Sequence, residues 1–176
     1  MLGFGRGTSD WEDPPRFYHF HPDEDRLVDD ALNLENPFTP PPSSYGPISQ
    51  YALRGAVELA ALLGIEPASG FSAPENGRVL FLIARLLALV LAMLTLWFLY
   101  HLAVHLCGDV GAVVAVFFYA FSPLAVQQAH FYAIDGLFTV ASLGALWAIS
   151  RALNADDWRT FVFAGAMIGG ASAVRL

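Results

Sequence analysis

Three short stretches of this sequence hold side chains of the right types to do chemistry. Asp23, Glu24 and Asp25 follow one another in HFHPDEDR, Arg85 interrupts an apolar run at FLIARLLAL, and His130 and Asp135 lie in AHFYAIDGLF. Two carboxylates converging on one site suit proton abstraction and charge stabilisation. A guanidinium offers a planar fork of donors matched to phosphate oxygens, and His130 stands close enough along the chain to assist Asp135. Each has a plainer reading. Acids in a helix's first turn are favoured by the macrodipole by about 0.3–1 kcal/mol each. Asp135 fits a loop facing water, Arg85 fits a side chain reaching for lipid headgroups, and His130 fits an interfacial residue. The residues alone leave both sets of readings open. The pair His19 and His21 would need further ligands from Asp23 or Glu24 to hold a metal. No resident cofactor is expected, with a divalent ion as the weaker alternative.

The elements that must position these groups are built largely for an apolar solvent. The 176 residues are 56% hydrophobic and 14% charged, with a mean hydropathy of +0.50, against roughly 25% charged in a soluble domain. Charge is concentrated at one end. Residues 1–78 carry twelve of the sixteen acids and five of the nine arginines, so the formal charge of −7 belongs to that segment alone. There is no basic footprint for a nucleic-acid partner. The glycines of GFGRG at positions 3–7 lack the strand and helix of a nucleotide motif. The single cysteine, Cys107, excludes an internal disulfide and is expected to pack as a small apolar residue.

Roughly twenty apolar residues cross a bilayer core as a helix. Four runs have that character, at about 79–106, 110–128, 137–153 and 160–176. The loop between the third and fourth carries Arg151 and Arg159, whereas the loop holding Asp135 carries no Lys or Arg. The positive-inside rule then puts the two arginines in the cytoplasm, and Asp135 and residues 1–78 outside. An acidic outer segment needs a helix to export it, so a span preceding Met1 is expected, and the chain reads as a piece of a longer protein.

Within residues 1–78, Pro22 opens a predicted helix at about 23–35 with Leu27, Val28, Ala31, Leu32 and Leu34 on one face. The proline-dense NPFTPPPSSYGP is an extended loop. A second amphipathic helix is predicted at 48–64, with Ile48, Tyr51, Leu59, Leu62 and Leu63 among its apolar residues and Arg54 four residues from Glu58. It is short for a span, and we take it to lie along the membrane surface. A true span there is the alternative, and it would invert every orientation after it. The expected fold class is thus all-α and polytopic, an outer loop with juxtamembrane helices followed by about four transmembrane helices.

HPDE at 21–24, NPF and SSYGPISQY within 36–51, IAR at 83–85 and SPLAVQQAHFYAIDGLF at 122–138 come in an order that resembles lipid-carrier-dependent glycosyltransferases. These are the glycosyltransferase family 39 and protein O-mannosyltransferase-like members of the GT-C superfamily, and the likeness runs from about residue 17 to the end. The resemblance implies a transmembrane helix before the Asp-Glu loop and more spans beyond the fourth, without which the chain alone would be inactive. It implies that Asp23 takes the proton from an acceptor hydroxyl attacking the anomeric carbon of a polyprenyl-phosphate-linked sugar, with inversion. Glu24 would position the acceptor or tune Asp23, and Asp135 would support the site. Arg85 would hold the donor phosphate, with His130 beside it and Tyr45 lining the donor groove. Some relatives have a lysine where this chain has Tyr45-Gly46-Pro47, and many end the fourth run with a lysine where this one has Arg175. The implied partners are the polyprenyl-phosphate-sugar donor, a protein, lipid or glycan acceptor, and lipids of the plasma membrane. Two readings from other classes compete. One is a transporter or channel segment with Asp135 and Arg85 as pathway charges, and the other is a non-catalytic assembly protein.

Overall fold

The computed structural model describes residues 22–32, 47–65, 74–153 and 158–175, apart from a few helical side chains. The described residues form six helices: α1 (Pro22–Leu32), α2 (Ile48–Leu62), α3 (Pro74–Ala120), α4 (Pro123–His130), α5 (Ile134–Ala152) and α6 (Trp158–Arg175). No strand occurs among them. The chain is an all-α membrane protein.

Helix α3 is the spine. At 47 residues and 1.5 Å per residue it would be about 70 Å long if straight, more than twice a hydrocarbon core. It is not one regular helix. Gly108 has φ 73° and ψ 179°, a conformation that only glycine reaches without strain, and it falls between the runs 79–106 and 110–128. Cys107, beside this break, is exposed rather than packed in the core. It does not pack as expected, because the whole stretch around the break, residues 105–110, is exposed. Val79–Ala120 is long and apolar enough to cross a membrane.

The run 110–128 is interrupted a second time. Helix α3 ends at Ala120, Ser122 turns extended, and Pro123 opens α4 with the Ala125 N–H donating to the Ser122 Oγ at 3.3 Å. Proline at the first helical position and serine before it explain the restart. After His130 the backbone is extended at Phe131 and Ala133 before α5 begins, and α4 and α5 are bent by 114°. As a bent pair they pass the membrane-crossing test together. Helix α5 packs on α3 and α6, with Trp147 meeting Phe98 at 5.6 Å and Phe163 at 6.1 Å between ring centroids.

The two preceding helices cover one end of this bundle. Helix α1 packs on α2 and α3, and α2 on α3 and α6. Leu27, Val28 and Ala31 of α1 join Leu53, Val57 and Ala60 of α2, and Leu80, Phe81 and Ala84 of α3, in one buried cluster. A fully buried leucine or valine contributes about 1.5–3 kcal/mol, enough to seat two short helices that would be marginal alone. Helix α2 has a second apolar side. Leu59, Leu62 and Leu63 point outward, Leu62 at 84% exposure. Its C-terminus closes with Ile65 N–H to the Ala60 carbonyl and Gly64 N–H to the Ala61 carbonyl, both 3.0 Å, around Gly64 at φ 81°. This is a Schellman ending, and the glycine is what permits it. Arg54 and Glu58 pair at 2.9 Å on the surface.

Candidate functional site

Glu24 lies on the face of α1 that also carries Leu27, Val28 and Ala31, the three- and four-residue spacing of one helical stripe. That face is pressed against the bundle, and the Glu24 side chain is 0% exposed. A carboxylate taken out of water needs a partner. Arg85 supplies it from α3, sixty-one residues along the chain. Its Nε donates to Glu24 Oε1 at 3.3 Å and its Nη2 to Oε2 at 3.4 Å. The side-by-side fork fixes the guanidinium plane as well as its position.

The other partner of Arg85 comes from the second loop. The Phe131 ring lies 5.8 Å from the guanidinium carbon, within cation–π range. Arg85 keeps 41% of its side chain exposed, whereas Glu24 is enclosed. Next to Phe131, Tyr132 is buried and donates its phenolic O–H to the Ser49 backbone carbonyl at 2.7 Å. Burial pushes its phenol well above the ordinary range. Asp135 occupies the first turn of α5 and is exposed. His130, in the last turn of α4, is exposed and donates Nδ1–H to the Val126 carbonyl at 2.7 Å.

Helices α3 and α5 keep a matching register along this face. Arg85 meets the second loop at Phe131, and Phe98, thirteen residues further along α3, meets Trp147 of α5. Both helices therefore run the same way from the Arg85 end, and Asp135 starts α5 at that end. Arg151, over the Trp147 ring at 5.2 Å, lies about 24 Å along α5 from Asp135 at the helical rise.

Of the residues singled out in the sequence, Glu24, Arg85, His130 and Asp135 thus gather at one end of the bundle, and Glu24 and Arg85 touch. Asp23 belongs to the first turn of α1 with its side chain outside the described atoms. Tyr45, His19 and His21 lie outside the described residues. Among the described residues no group of three His, Cys, Asp or Glu side chains could hold a metal ion. Sequence reasoning missed Phe131, Tyr132, Ser49 and Gln50. Gln50 is buried, its Nε2 donates to Asp30 Oδ2 at 3.4 Å, and its Oε1 has no hydrogen-bond partner among the described residues. The one usable signal was the aromatic pair before Asp135 in HFYAID, an odd place for two large rings in a short polar loop.

Residues 78–176, more than half of the chain, match the family model of the dolichyl-phosphate-mannose-protein mannosyltransferases. The chain belongs to that family. It is thereby placed among membrane glycosyltransferases that use polyprenyl-phosphate-linked sugars, and Arg85, Phe131, Tyr132 and Asp135 all fall inside the matched segment. Glu24 and α2 lie before it. No curated protein and no solved structure matches the chain.

Proposed function

We propose that this mannosyltransferase-family chain takes part in moving a sugar from a polyprenyl-phosphate donor to an acceptor hydroxyl on the outer face of the plasma membrane, with inversion at the anomeric carbon. The observation that carries the reading is the cluster of Glu24, Arg85 and Phe131, which ties the helix bearing Asp23 to the loop that leads into α5 and Asp135. A phosphate leaving group needs a cation that is fixed in orientation yet accessible. Arg85 suits both needs, because Glu24 holds it by Nε and Nη2 while 41% of the side chain remains exposed. In the reaction the acceptor oxygen forms a bond to the anomeric carbon as the carbon–oxygen bond to the phosphate breaks. The bonding pair leaves on the lipid phosphate, where Arg85 offsets the added charge, and Asp23 receives the acceptor's proton. Glu24, enclosed and paired, acts through Arg85 rather than on the acceptor. Asp135 supports the site from the first turn of α5, and the family resemblance gives His130 and Tyr45 to the donor. No resident metal is required by this scheme.

The outer-face assignment is supported by Arg151 and Arg159 at the far ends of α5 and α6 from Asp135 and the α1–α2 cap. The test is sugar transfer by the intact protein in membranes, from a synthetic polyprenyl-phosphate mannose to a Ser/Thr peptide. Asp23→Asn is expected to lower the turnover by about 10²–10⁴-fold, the range for a lost general base, with donor binding retained. Turnover near wild type in that variant would refute the base assignment.

A further inference from the structure

Between α4 and α5 the backbone leaves the helical ladder. Phe131 has φ −125° and ψ 138°, and Ala133 φ −126° and ψ 154°, so these residues are extended and have no helix to hold them in register. In extended chain, successive side chains point to opposite sides. Whatever fixes Tyr132 therefore also decides where Phe131 and the start of α5 go. Tyr132 is 1% exposed and is the largest fully enclosed side chain among the described residues. Its hydroxyl reaches a backbone carbonyl eighty-three positions away, at 2.7 Å on Ser49 in the first turn of α2. A carbonyl has two lone pairs, so Ser49 can accept this bond and its own helical one.

We propose that Tyr132 is a positioning residue for the transfer reaction: its O–H, given to the Ser49 carbonyl, clamps the second loop to the first and thereby holds Phe131 against Arg85 and Asp135 at the head of α5. This inference rests on the proposed function for its catalytic consequence, though not for the clamp itself. The phenol touches no reacting atom. It acts through Phe131, whose ring covers the guanidinium that Glu24 grips on another side. Releasing the clamp lets the loop shift, and small misplacements of a positioning group cost disproportionately in turnover.

Tyr132→Phe removes the hydroxyl and keeps the ring. Two readouts on the intact protein test it. In hydrogen exchange, amides of residues 131–136 are expected to exchange about tenfold faster than in wild type, while those of residues 140–150 keep their protection. In transfer from synthetic polyprenyl-phosphate mannose to a Ser/Thr peptide, turnover is expected to fall about tenfold or more with the acceptor KM within about twofold. Unchanged exchange at 131–136 overturns the clamp. Faster exchange with unchanged turnover overturns its role in the reaction. If wild type transfers no sugar, the functional reading falls, and exchange alone still decides the clamp. Should Tyr132→Phe lose protection at 140–150 as well, Phe131→Leu takes its place, since it leaves the clamp and removes the ring that meets Arg85 and His130. A turnover drop of about fivefold or more supports the path through Phe131, and wild-type turnover overturns it.

Discussion

The Glu24–Arg85 pair makes an asymmetric prediction, because its two members are not equally enclosed. Glu24 is 0% exposed and Arg85 41%. Removing Arg85, as in Arg85→Leu, strands a carboxylate with no route to water. Breaking a buried pair costs about 3–5 kcal/mol, and the low end applies here because the partner is half exposed, so about 3 kcal/mol is expected. Removing Glu24, as in Glu24→Leu, strands nothing. The guanidinium swings toward solvent or headgroups, and the new leucine sits beside Leu27 and Val28. That loss resembles a surface pair, about 1 kcal/mol or less. The gap of about 2 kcal/mol corresponds to roughly 4–8 °C in melting midpoint for a chain of this size.

The assay is a thermal scan of the intact protein in detergent, followed by tryptophan fluorescence. Arg85→Leu is expected to melt lowest, Glu24→Leu near wild type, and the double variant above Arg85→Leu, because an apolar pair replaces a stranded charge. Transfer activity is expected to fall by about tenfold or more in all three, since each loses either the guanidinium or the fork that orients it. A Glu24→Leu protein that melts as low as Arg85→Leu would refute the reasoning. So would a double variant whose midpoint drops by the sum of the two singles.

Asp135→Asn separates capping from chemistry: the midpoint is expected to move by no more than about 2 °C, since an exposed first-turn acid gains little from the dipole, while transfer falls about tenfold or more. Gly144→Val is expected to destabilise by about 1–3 kcal/mol, because even a Cβ there meets the Met167 methyl and the Phe98 ring at 3.2 Å. Chemical denaturation checks this, and Met167→Ala in the same chain should recover part of the loss. The raised phenol of Tyr132 gives a pH signature. Unfolded tyrosine ionises near pH 10 while the folded phenol holds its proton, so the stability is present below about pH 10 and is lost above it by up to about 1.4 kcal/mol per pH unit. Urea titrations between pH 9 and 11 should show a shallower alkaline decline in Tyr132→Phe.

How much of this was legible in the sequence depends on the range of the interaction that decides each feature. The all-α membrane character is a property of long windows, and the run from Val79 declares it. Local breaks are nearly as readable, since Gly108 and Ser122-Pro123 carry their causes in their own residue types. Helix α2 shows where a one-face reading fails. Its expected apolar side includes Leu59, Leu62 and Leu63, which face outward, while Ser49, Gln50, Leu53 and Val57 pack inward. The helix has two apolar sides, one packed on the bundle and one exposed, and a periodicity that looks for one finds the exposed leucines because they are the larger apolar residues.

The candidate site was least legible for a related reason. Glu24 and Arg85 each had an adequate local explanation, a first-turn acid and a snorkelling arginine, and nothing within a helical turn of either hints at the other. What joins them is burial of the α1 stripe, which turns an ordinary surface carboxylate into one that must find a cation. The cation in turn is held by the Glu24 carboxylate and lies over the Phe131 ring. Sequence reading gave Arg85 to the donor phosphate and Glu24 to the acceptor or to tuning Asp23. Their mutual pairing spans sixty-one residues, a contact that no local pattern in either segment encodes.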